Sequence, residues 1–285
     1  MTNENRQKFS GREGSEVNPL LQKGVPSRFP PSSPSSPRVF FIGAGPGDPG
    51  LLTVKAARVI GEAGLVLYAG SLVPREVVAG AREGARVLDS SSMTLEETHG
   101  LLVEAARGGE TAARVHTGDP GLYGAVAEQA RLLERDGVPY EIVPGVTTAS
   151  AAAAALGVSF TMPEATQTLL LTRLSGRTPV PDTERLRDLA AHKTSLAIYL
   201  SAGDPEGLRR ELLAAGLPPD TPVGVAYRLG WPDEKLFWTT VDALPDRVRD
   251  ENTTRQTIFL ILPHLLADPA RSKLYDPAFS HGFRT

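Results

Sequence analysis

The sequence predicts an α/β fold in two halves behind an N-terminal tail. Two observations predict it. Over residues 38–157, short apolar runs alternate with amphipathic stretches, the pattern of a mainly parallel sheet with helices on both faces. Beyond a proline-containing segment of weak periodicity, residues 159–167, apolar runs and amphipathic stretches resume with a different rhythm. The 285 residues suit one large or two medium domains, and such a chain buries a substantial core without staples. The expected division is a tail over 1–37, a first α/β domain over 38–158 and a second over 159–285.

The tail carries "PPSSPSSP", a low-complexity stretch expected to be extended or disordered. "RVFFI" (38–42) then reads as a buried strand. "LLTVKAARVIGEAG" (51–64) reads as a helix, with Leu51, Val54, Val59 and Ala63 on a broad face. Its start is either Asp48 with Pro49 in the first turn or Thr53 as a later cap. "LVLYA" (65–69) and "ARVLDS" (85–90) are strands. Thr94 and Glu97 have capping-box spacing for the next helix, which Gly108 can close. "TAARVHTGD" (111–119) is a strand ending in a polar turn. The helix 122–137 stops at Gly137, the strand "YEIVPG" covers 140–145, and a small-residue helix covers 147–157. In the second half, strands are expected at 168–174, 195–201, 222–229, 236–241 and 257–263, and amphipathic helices at 182–192 and 205–216.

Composition narrows the function. The chain is 41% apolar and 22% charged, ordinary for a soluble globular protein. It has no cysteine, so disulfides, thiolate metal sites and cysteine nucleophiles are excluded, and a reducing, cytoplasmic setting suits it. No signal-peptide core and no run of about 18 apolar residues is present, so neither secretion nor a membrane span is expected. The net charge of −3 provides no broad positive field for nucleic acid or anionic lipid. The five histidines, His99, His116, His192, His264 and His281, show no metal-ligand spacing; His116 reads as structural, and no metal is expected.

Three loops at strand ends hold the chemistry: "GAGPGDPG" (43–50), "HTGDPGLYG" (116–124) and "PGVTTAS" (144–150). In open α/β sheets ligands gather beyond the carboxyl ends of strands. The first loop resembles a phosphate loop but fails the tests for one. It lacks the Lys-Ser/Thr pair of a P-loop. Asp48 occupies the third glycine position of a dinucleotide fingerprint, and Pro46 lacks an N–H for a pyrophosphate. Taken alone, Asp119 reads as a cap for a helix after Pro120, and Thr147 or Thr148 can likewise cap the helix after "PGV". Together the loops offer glycine backbone, Asp and Thr but few cations. That suits a zwitterionic or cationic ligand with hydroxyls and amines.

These loops, with "LYAGSLV" (67–73), "PEATQTLLLTR" (163–173), "GRTPVP" (176–181), "WPDEK" (231–235) and "RSKLYDPAFSHGFR" (271–284), make the chain from residue 38 onward resemble the tetrapyrrole methylase family. The resemblance is strongest to the branch that methylates C11 of precorrin-4 or cobalt-precorrin-4 in cobalamin synthesis. It implies two α/β domains with S-adenosylmethionine (SAM) in the cleft between them, S-adenosylhomocysteine as product, and a homodimer. It implies cofactor contacts from Pro46, Thr117, Gly118, Asp119, Leu122, Tyr123, Thr147 and Thr148. From the second half, Leu200 and the stretch Ala226, Tyr227, Arg228 and Leu229 would hold the adenine side, largely by backbone. A tetrapyrrole bearing many carboxylates would meet the trough at Gly45 and Asp48, Tyr68 against its face, and Arg114, Arg173 or Arg177 on its acids, with Arg228 a further cation. In-line methyl transfer needs positioning more than acid–base chemistry, and no catalytic base is assigned. A sister methylase for another ring carbon and a non-catalytic tetrapyrrole carrier are the alternatives. An RNA-modifying relative and a dinucleotide oxidoreductase fit the charge and the first loop less well.

Overall fold

The computed structural model describes residues 38–267 together with residues 272, 279, 280 and 282. The tail at 1–37, His281 and most of the 271–284 motif lie outside the described residues.

In the first half each apolar run forms a strand. The elements are β1 (Val39–Gly43), α1 (Val54–Glu62), β2 (Leu65–Tyr68), β3 (Arg86–Asp89), α2 (Leu95–Arg107), β4 (Ala112–His116), α3 (Val126–Arg135), β5 (Tyr140–Val143) and α4 (Thr148–Ala155). Every strand but β2 is followed by an α-helix; β2 is followed by a 3-10 turn at Arg75–Val78. The strands pair in the order β3-β2-β4-β1-β5, every pair parallel. Alternate residues of β1 and β4 serve opposite cores. Ile42, Ala113 and Val115 meet Ala56, Val59 and Ile60 of α1 on one face. Val39, Phe41 and Ala112 meet α2 and α3 through Leu102, Ala130 and Leu133 on the other. The adjacent strands β1 and β4 therefore send their following helices to opposite faces, and this opens a crevice at their carboxyl ends.

Local signals explain the helix ends. Both candidate starts before α1 are used: Asp48 caps a 3-10 turn at Pro49–Leu51 and Thr53 caps α1. The capping box of Thr94 and Glu97 is formed. Val54 is a correction to the expected apolar face. It is 89% exposed, because α1 is entered at that residue and turns Ala56, Val59 and Ile60 inward. The helix expected from 122 begins only at Val126, since Tyr123 and Ala125 adopt left-handed backbone.

The second half forms β6 (Leu169–Arg173), α5 (Leu186–Ala190), β7 (Ser195–Tyr199), α6 (Pro205–Ala214), β8 (Pro222–Tyr227), β9 (Lys235–Thr240), α7 (Leu244–Asp250) and β10 (Thr257–Ile261). Its order is β6-β7-β10-β8-β9. Only β6 and β7 are parallel; β10 runs antiparallel between β7 and β8, and β9 antiparallel to β8. The stretch 182–192 is not one helix: Arg185 is extended and separates a 3-10 turn from α5. Helix α7 was not foreseen. Helices α5, α6 and α7 cover one face of this sheet. The other face is covered by α4, whose Ala149, Ala152 and Ala153 pack on Ala197, Ala226, Ile258 and Leu260. The small-residue helix at the end of the first half thus lies on the second sheet, where alanines allow close approach. No described helix is long and apolar enough to cross a membrane.

Candidate active site

Three loops converge beyond β1, β4 and β5, and glycine allows it. A Cβ on Gly43 would stand 2.4 Å from the Gly145 nitrogen, and one on Gly145 would stand 2.2 Å from the Gly118 oxygen. Gly45 and Gly118 exchange backbone hydrogen bonds of 3.1 and 2.7 Å. Gly43 and Gly45 of "GAGPGDPG" therefore serve backbone-to-backbone approach. Asp119 ties the loops further. Its Oδ2 accepts from the Gly145 N–H at 3.0 Å and its Oδ1 from the Gly121 N–H at 2.8 Å. It caps no helix.

The second half closes on this junction at three points. Gly230 abuts the first loop so tightly that a Cβ there would lie 2.3 Å from the Asp48 nitrogen. The Gln256 amide donates to the Ser71 carbonyl. The Tyr199 hydroxyl shares a 2.7 Å hydrogen bond with Thr147 Oγ1 and accepts from the Ala149 N–H at 3.0 Å. Thr147 sits at the start of α4, yet its side chain makes no cap.

Between the halves lies a cavity of about 970 Å³. Pro46, Arg114, Thr117, Gly118, Asp119, Leu122, Tyr123, Thr147, Thr148, Leu200, Tyr227, Arg228 and Leu229 all line it. The remaining predicted site residues lie elsewhere. Ala226 is 1% exposed, its methyl in the core under α4. Gly45 is buried in its bridge with Gly118. Asp48 is exposed, and its carboxylate accepts from the Gly50 N–H at 2.7 Å. Tyr68 borders a separate cavity of about 410 Å³ with Asp89, Arg228 and Trp231. The Arg173 guanidinium donates to the carbonyls of Thr178 and Pro179 at 2.9 and 2.8 Å, and Arg177 is exposed off the wall.

Backbone strain gathers at the cavity. Tyr123, Ala125, Leu200, Arg228 and Gln256 have φ of 57°, 50°, 53°, 45° and 48°, and all five line the wall. Left-handed backbone costs a side-chain-bearing residue about 1–3 kcal/mol and persists where the surroundings enforce it. Leu200, left-handed and 71% exposed, presents an apolar side chain to the cavity beside Leu122, Leu229 and Ile258. The rings of Tyr123 and Tyr199 meet at 5.4 Å, and burial pushes both phenols up in pKa.

The cations differ in availability. Arg228 is neutralised: its Nε donates to Asp233 at 2.7 Å and its guanidinium lies 4.0 Å over Trp231. Arg114 meets only neutral acceptors, Ser90, Gln129 and the Leu67 carbonyl, and burial lowers its pKa to about 10. His116 is pushed down to about 3, by burial first and by Arg114 second, so it is neutral. No group of three or more His, Asp or Glu that could hold a metal occurs among the described residues.

Sequence reasoning missed Tyr199, Gln256, Ser90 and Gln129 as parts of this wall. Tyr199 precedes the selected Leu200, so alternation along β7 was the available signal. The others come from segments remote in the chain.

The model of the tetrapyrrole (corrin/porphyrin) methylases matches residues 38–245, and the chain belongs to that family. Over 251 residues it is 48% identical to the cobalt-precorrin-4 C(11)-methyltransferase of Priestia megaterium, covering 87% of this chain and 97% of that one. Over 247 residues it is 44% identical to the precorrin-4 C(11)-methyltransferase of Pseudomonas aeruginosa, covering 86% and 98%. The X-ray structure of a cobalt precorrin-4 methyltransferase superposes with a TM-score of 0.77 at 48% identity, over 79% of this chain and 94% of that one. The uroporphyrin-III C-methyltransferase of Thermus thermophilus, in complex with S-adenyl homocysteine, gives a TM-score of 0.64 at 31% identity, over 79% and 96%.

Proposed function

We propose that this protein transfers a methyl group from SAM to C11 of precorrin-4 or cobalt-precorrin-4. The observation that carries the reading is the 48% identity that extends over 97% of a cobalt-precorrin-4 C(11)-methyltransferase.

The wall suits the cofactor's chemistry. Leu122, Leu200, Leu229 and Ile258 offer an apolar seat for adenine, and the left-handed backbone at Leu200 and Arg228 turns peptide groups out for its edge. Thr117, Thr147, Thr148 and Asp119 offer hydroxyls, backbone groups and a carboxylate for the ribose and amino-acid end. Bound SAM supplies an electrophilic methyl on a sulfonium. The loops' role is to fix donor and acceptor at near-attack distance, where orientation supplies much of the acceleration. The Asp119 carboxylate favours the cationic cofactor over its neutral product. The acceptor ring lies along the trough by Pro46, and Arg114, which no charged neighbour offsets, and Arg255 are the cavity-lining cations that can meet its acids. The reading includes a cytoplasmic homodimer.

The test is calorimetric titration with S-adenosylhomocysteine and, separately, NAD, followed by assay on precorrin-4 with and without cobalt. Tight S-adenosylhomocysteine binding, silence toward NAD and turnover of one tetrapyrrole form are expected. A folded protein that ignores S-adenosylhomocysteine would overturn the reading.

A further inference from the structure

Arg114 and His116 sit two residues apart on the face of β4 that turns toward α2 and α3, about 7 Å apart by the rise of a strand. Both line the cavity. The Arg114 side chain is held in one orientation. Its Nη1 donates to Ser90 Oγ at 2.7 Å and to the Leu67 carbonyl at 3.4 Å, and its Nε donates to Gln129 Oε1 at 3.2 Å. The cradle is itself oriented. The Gln129 amide nitrogen donates to the Ala125 carbonyl at 3.1 Å, and Ser90 Oγ donates to the Tyr68 carbonyl at 3.1 Å. Each spends its hydrogens elsewhere and turns a lone pair toward the guanidinium. No charged neighbour offsets the burial of this cation.

His116 adds a second unmet demand. It is 7% exposed, its Nε2 is buried, and that nitrogen has no hydrogen-bond partner. The ring lies 5.9 Å from Phe41, in surroundings that an apolar ring would fill without leaving a polar atom orphaned. Buried polar groups are nearly always paired, and a pre-oriented, uncompensated guanidinium is the natural partner of a carboxylate.

We propose that Arg114 and His116 form the seat for one side-chain carboxylate of the tetrapyrrole, the first through its charge and the second through the hydrogen bond its Nε2 lacks. The proposal rests on the tetrapyrrole reading above and adds to it a specific subsite. Nε2 is buried, so the seat requires the imidazole to turn about its Cβ–Cγ bond toward the carboxylate. The carboxylate then joins β4 to the cradle of Ser90 and Gln129 and sets how the macrocycle lies in the trough. His116 is a positioning residue here, not a base.

The experiment titrates the S-adenosylhomocysteine-saturated protein with precorrin-4 and, separately, cobalt-precorrin-4, followed by absorbance, for wild type, Arg114→Lys and His116→Phe. Calorimetry with S-adenosylhomocysteine and thermal unfolding accompany each variant. The tetrapyrrole Kd rises tenfold or more in Arg114→Lys and at least threefold in His116→Phe. The S-adenosylhomocysteine Kd stays within twofold, and the melting temperature of His116→Phe is unchanged or raised. In nitrogen-15-histidine spectra of the wild type, the His116 signals move on tetrapyrrole addition and not with S-adenosylhomocysteine alone. Wild-type tetrapyrrole affinity in either variant overturns the seat and leaves the substrate reading intact. Parallel loss of S-adenosylhomocysteine binding also overturns it, since the two residues would then be structural. A wild-type protein that binds S-adenosylhomocysteine but no tetrapyrrole overturns the substrate reading and the seat together.

Discussion

Asp119 and Gly145 join two loops that follow different strands: the Asp119 Oδ2 accepts the Gly145 N–H at 3.0 Å while its Oδ1 holds the Gly121 N–H at 2.8 Å. Asp119→Asn turns one of these acceptors into a donor facing an N–H. Hydrogen bonds to a charged group are worth about 1.5–3 kcal/mol, so a stability loss of about 2 kcal/mol is expected in urea unfolding. Affinity for S-adenosylhomocysteine drops at least tenfold by calorimetry. Unchanged stability would show that the glycine contacts alone hold the junction.

Tyr199→Phe tests the tie between β7 and α4. It removes the hydroxyl that meets Thr147 Oγ1 and the Ala149 N–H and keeps the ring against Tyr123. A loss of about 1 kcal/mol is expected. Cofactor affinity falls with it, because Thr147 lines the cavity. Thermal unfolding with and without S-adenosylhomocysteine separates the two effects.

Leu200→Gly separates stability from binding. The residue is left-handed at φ 53° and largely exposed. Glycine relieves the strain but adds freedom to the unfolded chain. Stability is unchanged or raised by up to about 1 kcal/mol, while S-adenosylhomocysteine affinity falls about tenfold from the lost apolar wall. A variant that binds as tightly as wild type would place the adenine elsewhere.

His116 links stability to pH. Burial and Arg114 hold it near 3 in the folded protein, against about 6.5 for an unfolded histidine. Between those values the unfolded chain binds the extra proton, so its contribution to stability is whole above about pH 6.5 and is lost as pH falls toward 3. The slope is up to about 1.4 kcal/mol per pH unit. Urea unfolding at pH 7 and pH 5 should show the loss in wild type and a shallower one in His116→Phe. Equal slopes would mean that His116 titrates normally.

Much of this was legible in the chain because it is local. The strands of the first half are short apolar runs, the Thr94–Glu97 box is a spacing, and the three loops declare themselves by glycine. What was hidden depends on pairing at a distance. Nothing in the 257–263 run says that β10 inserts antiparallel between β7 and β8. Nothing in "TTASAAAAALG" says that its alanines cover the second sheet. Arg114 could be nominated as a cation, but its cradle draws on Ser90 and Gln129, which only the fold brings to it. Leu200 and Gln256 carry left-handed backbone that their residue types do not advertise. Asp48 and Arg173 are spent on neighbours in their own loops, an outcome that turn geometry decides.

The most direct test is incubation of the protein with precorrin-4 and, separately, with cobalt-precorrin-4, each with SAM bearing a carbon-13 methyl and the product read by NMR. One of the two tetrapyrroles should gain a single labelled methyl, attached at C11, with an equal amount of S-adenosylhomocysteine released. Label on another ring carbon, or no label on either tetrapyrrole from a protein that binds SAM and the tetrapyrrole, would contradict that assignment.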